Sequence, residues 1–137
     1  MRTRTIRQSS TFNASPHDVY ELLMDSRKHA EFTGGKCSIS RKTGGRYSVY
    51  DGYIVGKNIE MVPDKRIVQS WKPEEDCWPA DYYSEVTFEL KPVKGGTRLT
   101  FKQTGVPVEC GDRFDVGWRE HYWAKMKTLL PKEPRQD

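Results

Sequence analysis

Two adjacent segments alternate apolar and polar side chains, and this alternation constrains the fold more than any other feature of the chain. Val86, Phe88 and Leu90 share one parity in the first segment, and Leu99 and Phe101 share one parity in the second. A Gly-Gly pair separates the two segments. Strict alternation is typical of antiparallel strands with one buried face and one wet face. We therefore predict two neighbouring strands of an antiparallel sheet.

The last apolar pattern repeats with helical spacing and stops at Pro131. A sheet with one wet face needs a cover on its other face, and this helix is the only predicted element long and apolar enough to provide it. Gly117, within the helix, indicates a close approach to a neighbouring element. The stripe consists of Trp118, Tyr122, Met126 and Leu129, in a helix predicted from Asp112 or Asp115 to Leu130.

Turn and cap signals place the remaining elements. Ser15-Pro16 begins a helix that runs to about Asp25, and a short helical piece follows around His29. Asp51-Gly52 predicts a hairpin turn, and Gly56 a bulge or close-approach point. The predicted fold is α+β: a curved seven-stranded antiparallel sheet on a long C-terminal helix, with two short helices after the first strand. We expect one such domain over residues 1–131 and a flexible tail at 132–137. The predicted strands are 3–12, 37–41, 46–50, 53–61, 66–71, 82–91 and 98–102.

Composition and charge exclude several classes of protein. No apolar run approaches membrane-spanning length, and the basic N-terminus has no apolar stretch behind it, so neither a membrane span nor a signal peptide is predicted. The net charge of +4 comes from basic residues interleaved with acids, and nucleic acid is therefore not an expected partner. The expected location is the cytoplasm.

The three cysteines are predicted to be ordinary thiols. Cys37, Cys77 and Cys110 are odd in number, widely spaced and without a C-x-x-C pair. This pattern implies neither a disulfide framework nor a zinc site.

No catalytic constellation, metal site or cofactor motif is evident. The histidines lack metal-ligand or dyad spacing, so surface or capping roles are predicted for them. The candidate carboxylates have turn or surface explanations, because no spacing holds two of them together. We therefore do not expect an enzyme. The residues considered are His17, His29, His121, Asp51, Glu60 and Asp81.

Polar side chains at inward parity leave two interpretations open. Gln8, Gln69, Ser84 and Gln103 share the apolar face of their strands. They either sit at strand ends and bond to backbone or solvent, or they line a ligand cavity together with aromatic side chains. The candidate cavity residues are Tyr47, Gln69, Trp71, Gln103, Trp118 and Tyr122.

A series of short motifs extends from Gly45 to Leu130. The chain resembles the family of heat-shock protein 90 ATPase activator homologues, in particular their C-terminal-type domain, within the START-like helix-grip superfamily. The motifs are Tyr47, Asp51-Gly52, Gly56, Pro63, Ile67-Val68-Gln69-x-Trp71, Trp78-Pro79, Gly96-Thr97-x-Leu99, Gly105-Val106-Pro107, Gly117-Trp118 and Tyr122-Trp123.

The resemblance implies a non-catalytic, co-chaperone-like binding protein with a heat-shock protein 90 chaperone as its partner. The alternative is a carrier or sensor of a hydrophobic small molecule held between sheet and C-terminal helix, as in the wider superfamily. A third hypothesis is an enzyme that uses the same cavity, because one fold can carry many different functions. Two-domain activators carry a separate N-terminal domain that grips the chaperone. Its Asn- and Trp-rich segment does not occur here, so weak or absent activation is expected.

Overall fold

Seven strands form one antiparallel sheet in the computed structural model, which describes residues 1–130. The strands are β1 (Thr3–Phe12), β2 (Ser38–Ile39), β3 (Arg46–Val49), β4 (Ile54–Val62), β5 (Arg66–Pro73), β6 (Ser84–Val93) and β7 (Gly96–Pro107). Their order is β1-β7-β6-β5-β4-β3-β2, so the first strand pairs with the last. The predicted α+β helix-grip fold is confirmed. Pro131 and the predicted tail at 132–137 lie outside the described residues.

Turns and close contacts set the register of the sheet. Asp51 and Gly52 adopt φ values of 58° and 90° in the turn between β3 and β4, as the sequence predicts. A Cβ at Gly56 would lie 1.9 Å from the carbonyl oxygen of Ser70, so β4 and β5 approach closely there. The register of β1 on β7 shifts between Arg4 and Ile6.

Two short helices follow β1. Helix α1 (Pro16–Met24) begins where the Ser15 hydroxyl accepts a hydrogen bond from the Asp18 amide at 3.1 Å. Helix α2 (Ser26–Thr33) begins where the Asp25 carboxylate accepts from the Lys28 amide at 3.0 Å. Both helices were predicted, although α2 is longer than the expected turn.

The C-terminal helix is continuous but changes its winding. A 3₁₀ turn (Val108–Cys110) leads into α3 (Gly111–Trp118), a π-helical turn (Arg119–Trp123) and α4 (Ala124–Leu129). The wider π turn stacks Trp118 on Trp123, five residues later, with ring centroids 5.7 Å apart. Within residues 1–130, none of the helices combines the length and the apolar character that a membrane crossing requires.

The inner face of the sheet packs on this helix, as predicted. The Trp118 ring lies 4.2 Å from Phe101 and 6.0 Å from Phe88, centroid to centroid. Met126, two stripe positions further along the helix, is fully buried. Strand β6 begins at Ser84 and not at Tyr82, because the Tyr82 hydroxyl donates to the Gly105 carbonyl at 2.6 Å and holds this residue in the preceding loop.

Candidate functional site

The interior between sheet and helix is almost filled. A cavity of about 20 Å³ remains, which is room for roughly one water molecule. Five of the six predicted cavity residues line it, and the sixth, Gln103, lies outside its wall. An organic ligand cannot enter the space in this conformation. The five lining residues are Tyr47, Gln69, Trp71, Trp118 and Tyr122.

Gln103 organises the polar part of this interior. Its side chain accepts a hydrogen bond from Trp118 Nε1 at 2.8 Å and donates to the Ser84 hydroxyl at 3.0 Å. Ser84 in turn donates to the Trp71 carbonyl at 3.1 Å. The amide therefore ties β6 and β7 to the C-terminal helix.

The other inward amides are also bonded to specific partners. Gln69 donates to Asn58 Oδ1 at 3.0 Å. Gln8 accepts from Trp123 Nε1 and donates to the Asp115 carboxylate, both at 2.7 Å. Every buried side-chain nitrogen and oxygen among residues 1–130 has a partner. These bonds satisfy the inward amides mainly through side chains on distant elements, an arrangement that neither interpretation from the sequence specified.

His29 is buried, which corrects the predicted surface or capping role. Its Nδ1 lies 3.1 Å from the Leu23 carbonyl, which can only accept, so Nδ1 carries the proton. Its Nε2 therefore accepts from the Tyr122 hydroxyl, also at 3.1 Å. Burial lowers the pKa of His29 from 6.5 to about 4, and burial raises the pKa of Tyr122 well above its usual value. The pair is a neutral link between α2 and the C-terminal helix.

An open groove of about 370 Å³ lies outside the filled interior. Trp71, Trp118 and Tyr122 line both the groove and the small inner cavity, so these rings separate the two spaces. The remaining groove walls come from the turn between β3 and β4, the loop after β5 and the start of the C-terminal helix. They are Tyr50, Tyr53, Ile54, Glu75, Arg113, Phe114, Gly117 and His121.

Polar contacts hold the rim of the groove. Arg113 donates to the Glu75 carboxylate at 2.6 Å, and the Tyr53 hydroxyl donates to the other oxygen of that carboxylate. Burial, followed by the Glu75 contact, raises the pKa of Tyr53. The Tyr50 hydroxyl donates to the His121 carbonyl at 2.9 Å. Burial raises the pKa of Tyr50 to about 12.

Gly117 is not required by a close approach, contrary to the prediction. A Cβ at this position would meet only the His121 ring, at 3.9 Å, an ordinary contact distance. Gly117 instead lines the groove without a side chain that would project into it.

Cys77 and Cys110 form a disulfide, which corrects the prediction of three ordinary thiols. Their Cα atoms lie 5.7 Å apart, although 33 positions separate them in sequence. Cys37 is the free cysteine. The loop after β5 folds back onto the start of the C-terminal helix, and this return could not be deduced from cysteine spacing.

Sequence reasoning identified the rings that face the interior but missed most of the groove. Arg113 and His121 were outside the apolar stripe, and Tyr50 and Tyr53 flank a turn. The tyrosine pair around Asp51-Gly52 was the available signal, because binding residues lie disproportionately on surface turns and loops. No group of three or more histidine, cysteine or acidic side chains in residues 1–130 is placed to hold a metal ion.

A curved antiparallel sheet gripping a helix, with an aromatic groove at their junction, defines a START-like helix-grip domain. Two solved structures share this fold. An HSP90 activator from Plasmodium falciparum superposes with a TM-score of 0.86 at 22% identity, covering 96% of this chain and 99% of that one. The Mesorhizobium loti protein MLL2253 gives a TM-score of 0.81 at 21% identity, with 96% and 100% covered. At these identities the likeness establishes the fold.

The model of the family described as Activator of Hsp90 ATPase homolog 1-like protein matches residues 13–131. The chain belongs to this family. The activator of 90 kDa heat shock protein ATPase homolog of Dictyostelium discoideum is 30% identical over 129 residues, covering 91% of this chain and 32% of the relative. Homolog 1 of Homo sapiens is 26% identical over 128 residues, covering 93% and 37%. The chain thus spans about a third of the length of these relatives.

Proposed function

We propose that the chain is a non-catalytic module that binds an Hsp90-type chaperone and favours its closed, ATPase-competent state. The family match over residues 13–131 carries this proposal. The filled interior supports it, because a rigid, packed domain offers its outer surface more readily than an internal cavity. No chemical step by this chain is required.

Such an activator works through differential affinity. A binding protein shifts an equilibrium between two chaperone states only as far as it prefers one of them. A tenfold shift requires a tenfold preference, about 1.4 kcal/mol. The chain should therefore bind the chaperone more tightly with a non-hydrolysable ATP analogue than with ADP.

The stimulation should be weaker than that of a two-domain activator. The comparison concerns these 137 residues by themselves, which align with about a third of the length of the named relatives, and the resemblance assigns a separate part of those proteins to gripping the chaperone. Fewer contacts leave less binding energy for the closed state.

The test combines binding and turnover with purified proteins. Calorimetry with the cognate chaperone should show saturable binding, stronger with the ATP analogue, and a coupled ATPase assay should show modest stimulation. A two-domain activator serves as the reference. Absence of binding in both nucleotide states would overturn the proposal, and stimulation equal to the reference would overturn the expected weakness.

A cytoplasmic location belongs to the same proposal. The Cys77–Cys110 disulfide is the structural feature that counts against this location, because stable disulfides are uncommon in reducing compartments such as the cytoplasm. Alkylation of thiols in freshly lysed cells would measure whether this bridge exists in place.

The groove supports a second candidate function, the carriage or sensing of a hydrophobic small molecule. Its volume of about 370 Å³ lies within the range of small-molecule sites, and aromatic rings form much of its wall. The polar rim at Arg113 and Tyr50 would fix the orientation of a flat, mostly apolar molecule. The proposed occupant lies in this outer groove, with the rings of Trp71, Trp118 and Tyr122 beneath it.

Gly117→Ala tests the groove without disturbing the fold. The added methyl meets only the His121 ring at 3.9 Å, and alanine favours the helix by up to about 1 kcal/mol over glycine. The methyl narrows the groove, so saturable quenching of tryptophan fluorescence by an apolar aromatic probe should weaken several-fold. Val116→Ala, at an exposed position on the same helix, is the matched control. Equal probe binding by wild type and Gly117→Ala would remove the groove as the site.

Gln69→Leu addresses the inner cavity that the sequence predicts. If a ligand reaches this space by displacing side chains, removing the amide should change which probes bind. An unchanged probe preference would leave Gln69 with a structural role only, through its contacts with Asn58 and Met24.

A further inference from the structure

The disulfide lies next to the groove, because Arg113, which lines the groove, has its Nη1 atom 3.9 Å from Cys77 Sγ. Cys77 sits in the loop between β5 and β6, and Cys110 ends the 3₁₀ turn that leads into α3. On the same two segments, Glu75 and Arg113 pair across the rim at 2.6 Å. The bridge therefore ties the segment that carries Glu75 covalently to the segment that carries Arg113.

The loop is held at both ends and, in its middle, by the side chain of Trp78 as well as by the disulfide. Its two ends are held, since the Glu74 amide donates to the Tyr53 carbonyl at 2.8 Å and Tyr82 bonds to Gly105. Between them Trp78 is buried against Trp71 and Phe114, while Asp76, Pro79, Ala80 and Asp81 are exposed. The bridge is the one covalent restraint on this middle section, beside the packing of Trp78.

The two sulfur atoms differ in accessibility. Cys110 is fully buried, whereas Cys77 is partly exposed. Arg113 Nη1 lies 3.9 Å from Cys77 Sγ, where its positive charge favours a thiolate. An external thiol can therefore reach Cys77, and the Cys77 thiolate that forms on full reduction is stabilised.

We propose that the Cys77–Cys110 disulfide is a reducible latch: a dithiol reductant attacks it at Cys77 and releases the middle of the 74–83 loop from the start of the C-terminal helix, beside the part of the groove that Glu75 lines. The latch does not depend on which partner or ligand uses the groove, and it adds redox control to whichever function the groove serves.

The chemistry is ordinary thiol–disulfide exchange. A thiolate of the dithiol forms a bond to Cys77 Sγ, the Cys77–Cys110 bond breaks, and Cys110 leaves with the electron pair and takes the proton of the reductant's second thiol. The second thiol of the reductant, as a thiolate, then attacks the reductant's own sulfur in the mixed disulfide. This step releases the Cys77 thiolate beside Arg113. Two electrons reach the protein, and the dithiol ends as a cyclic disulfide.

The experiment uses the full chain with Cys37→Ser, which removes the free cysteine. Alkylation after unfolding should find no free thiol in the air-oxidised protein and two after treatment with dithiothreitol. Hydrogen exchange then compares the two forms. We expect at least tenfold faster exchange in the middle of the 74–83 loop after reduction, with amides of β1 and β7 unchanged.

The control adds Cys77→Ser and Cys110→Ser to the same background. This variant should exchange like the reduced protein, and dithiothreitol should have no effect on it. Three outcomes would each overturn the latch: two free thiols in the air-oxidised protein, equal loop exchange in both forms, or faster exchange throughout the sheet on reduction. The last would identify the bridge as a restraint on the whole fold.

Discussion

Single buried polar side chains connect the layers of this protein. Gln103 and His29 each join the C-terminal helix to another element, and both are almost completely removed from solvent. A buried polar group is costly unless it is bonded, so each of these residues stabilises the fold only while its partners are present.

Gln103→Leu should destabilise the protein by about 1–3 kcal/mol, because Trp118 Nε1 would be left buried without its acceptor. Urea unfolding measures the change. Lys102→Leu introduces the same side chain at the exposed neighbouring position and should alter the free energy of unfolding by no more than about 0.5 kcal/mol. Equal effects of the two substitutions would contradict the role assigned to the amide.

His29 should make stability depend on pH. Its pKa is about 4 when folded, below the ordinary 6.5, so the unfolded chain binds the extra proton between these values. The stabilisation that neutral His29 contributes to the free energy of unfolding is complete above pH 6.5. It decreases as the pH is lowered towards 4, and below pH 4 it stays constant. The loss at pH 5 relative to pH 7 is about 2 kcal/mol. His29→Gln should remove this part of the urea-measured dependence; identical pH profiles for variant and wild type would contradict it.

The inward amides could be predicted from strand parity, but their partners could not. Gln8 bonds to Asp115 and Trp123, which follow it in the sequence by 107 and 115 positions. Tyr122 lies 93 positions after its partner His29. Parity states which face a side chain occupies, whereas a bond partner depends on how distant elements pack. The buried role of His29 therefore had no signal in local spacing.

At the scale of elements, the C-terminal helix was the most predictable and the least regular. Its apolar stripe identified the buried side correctly. The π turn was not foreseen, because the stripe positions Trp118, Tyr122 and Met126 keep a spacing of four through it. The extra residue in this turn brings both Trp118 and Trp123 into contact with Phe101 of the sheet. The π turn also borders the groove, through His121 and Tyr122.

Met126→Ala should cost about 2–5 kcal/mol, because the side chain is fully buried between helix and sheet and a cavity would remain. Chemical denaturation would give the value. Glu120→Ala, on the exposed side of the same helix, is the matched substitution and should be nearly neutral. A wild-type denaturation midpoint for Met126→Ala would show that the stripe is misassigned.

Loops limited the prediction of the site. Strand and helix periodicities located the elements to within a few residues, whereas the groove depends on the 74–83 loop, which has no periodicity. Cys77 and Glu75 reach the helix only through the path of this loop. Turn residues indicate where a chain changes direction, but not where a ten-residue loop returns.

For the whole molecule, topology is the dominant property. The first strand completes the sheet by pairing with the last, with Phe12 opposite Thr97 and Thr3 opposite Pro107. Most of the chain separates these partners, so the sheet cannot close until nearly all of it is available. Long-range pairing of this kind is slow to form, because loop closure precedes the contacts that reward it.

Refolding should therefore take milliseconds to seconds rather than microseconds. Stopped-flow dilution from urea, followed by tryptophan fluorescence, measures the rate. The disulfide-free variant separates closure of the sheet from the effect of the bridge and should stay in the same time range. Complete refolding within microseconds would contradict the dependence on topology.

The register shift in β1 also affects whether two molecules can pair through the edges of their sheets. A free strand edge ten residues long is a template for pairing with a second chain, and such edges lead to aggregation unless they are interrupted. The irregularity between Arg4 and Ile6 breaks the flat ladder, and Arg4 is drawn to Asp112 at 2.9 Å. Arg7 adds an exposed charge further along. The opposite edge, β2, is only two residues long. Concentrated solutions of the folded protein should therefore resist fibril growth through either edge of the sheet.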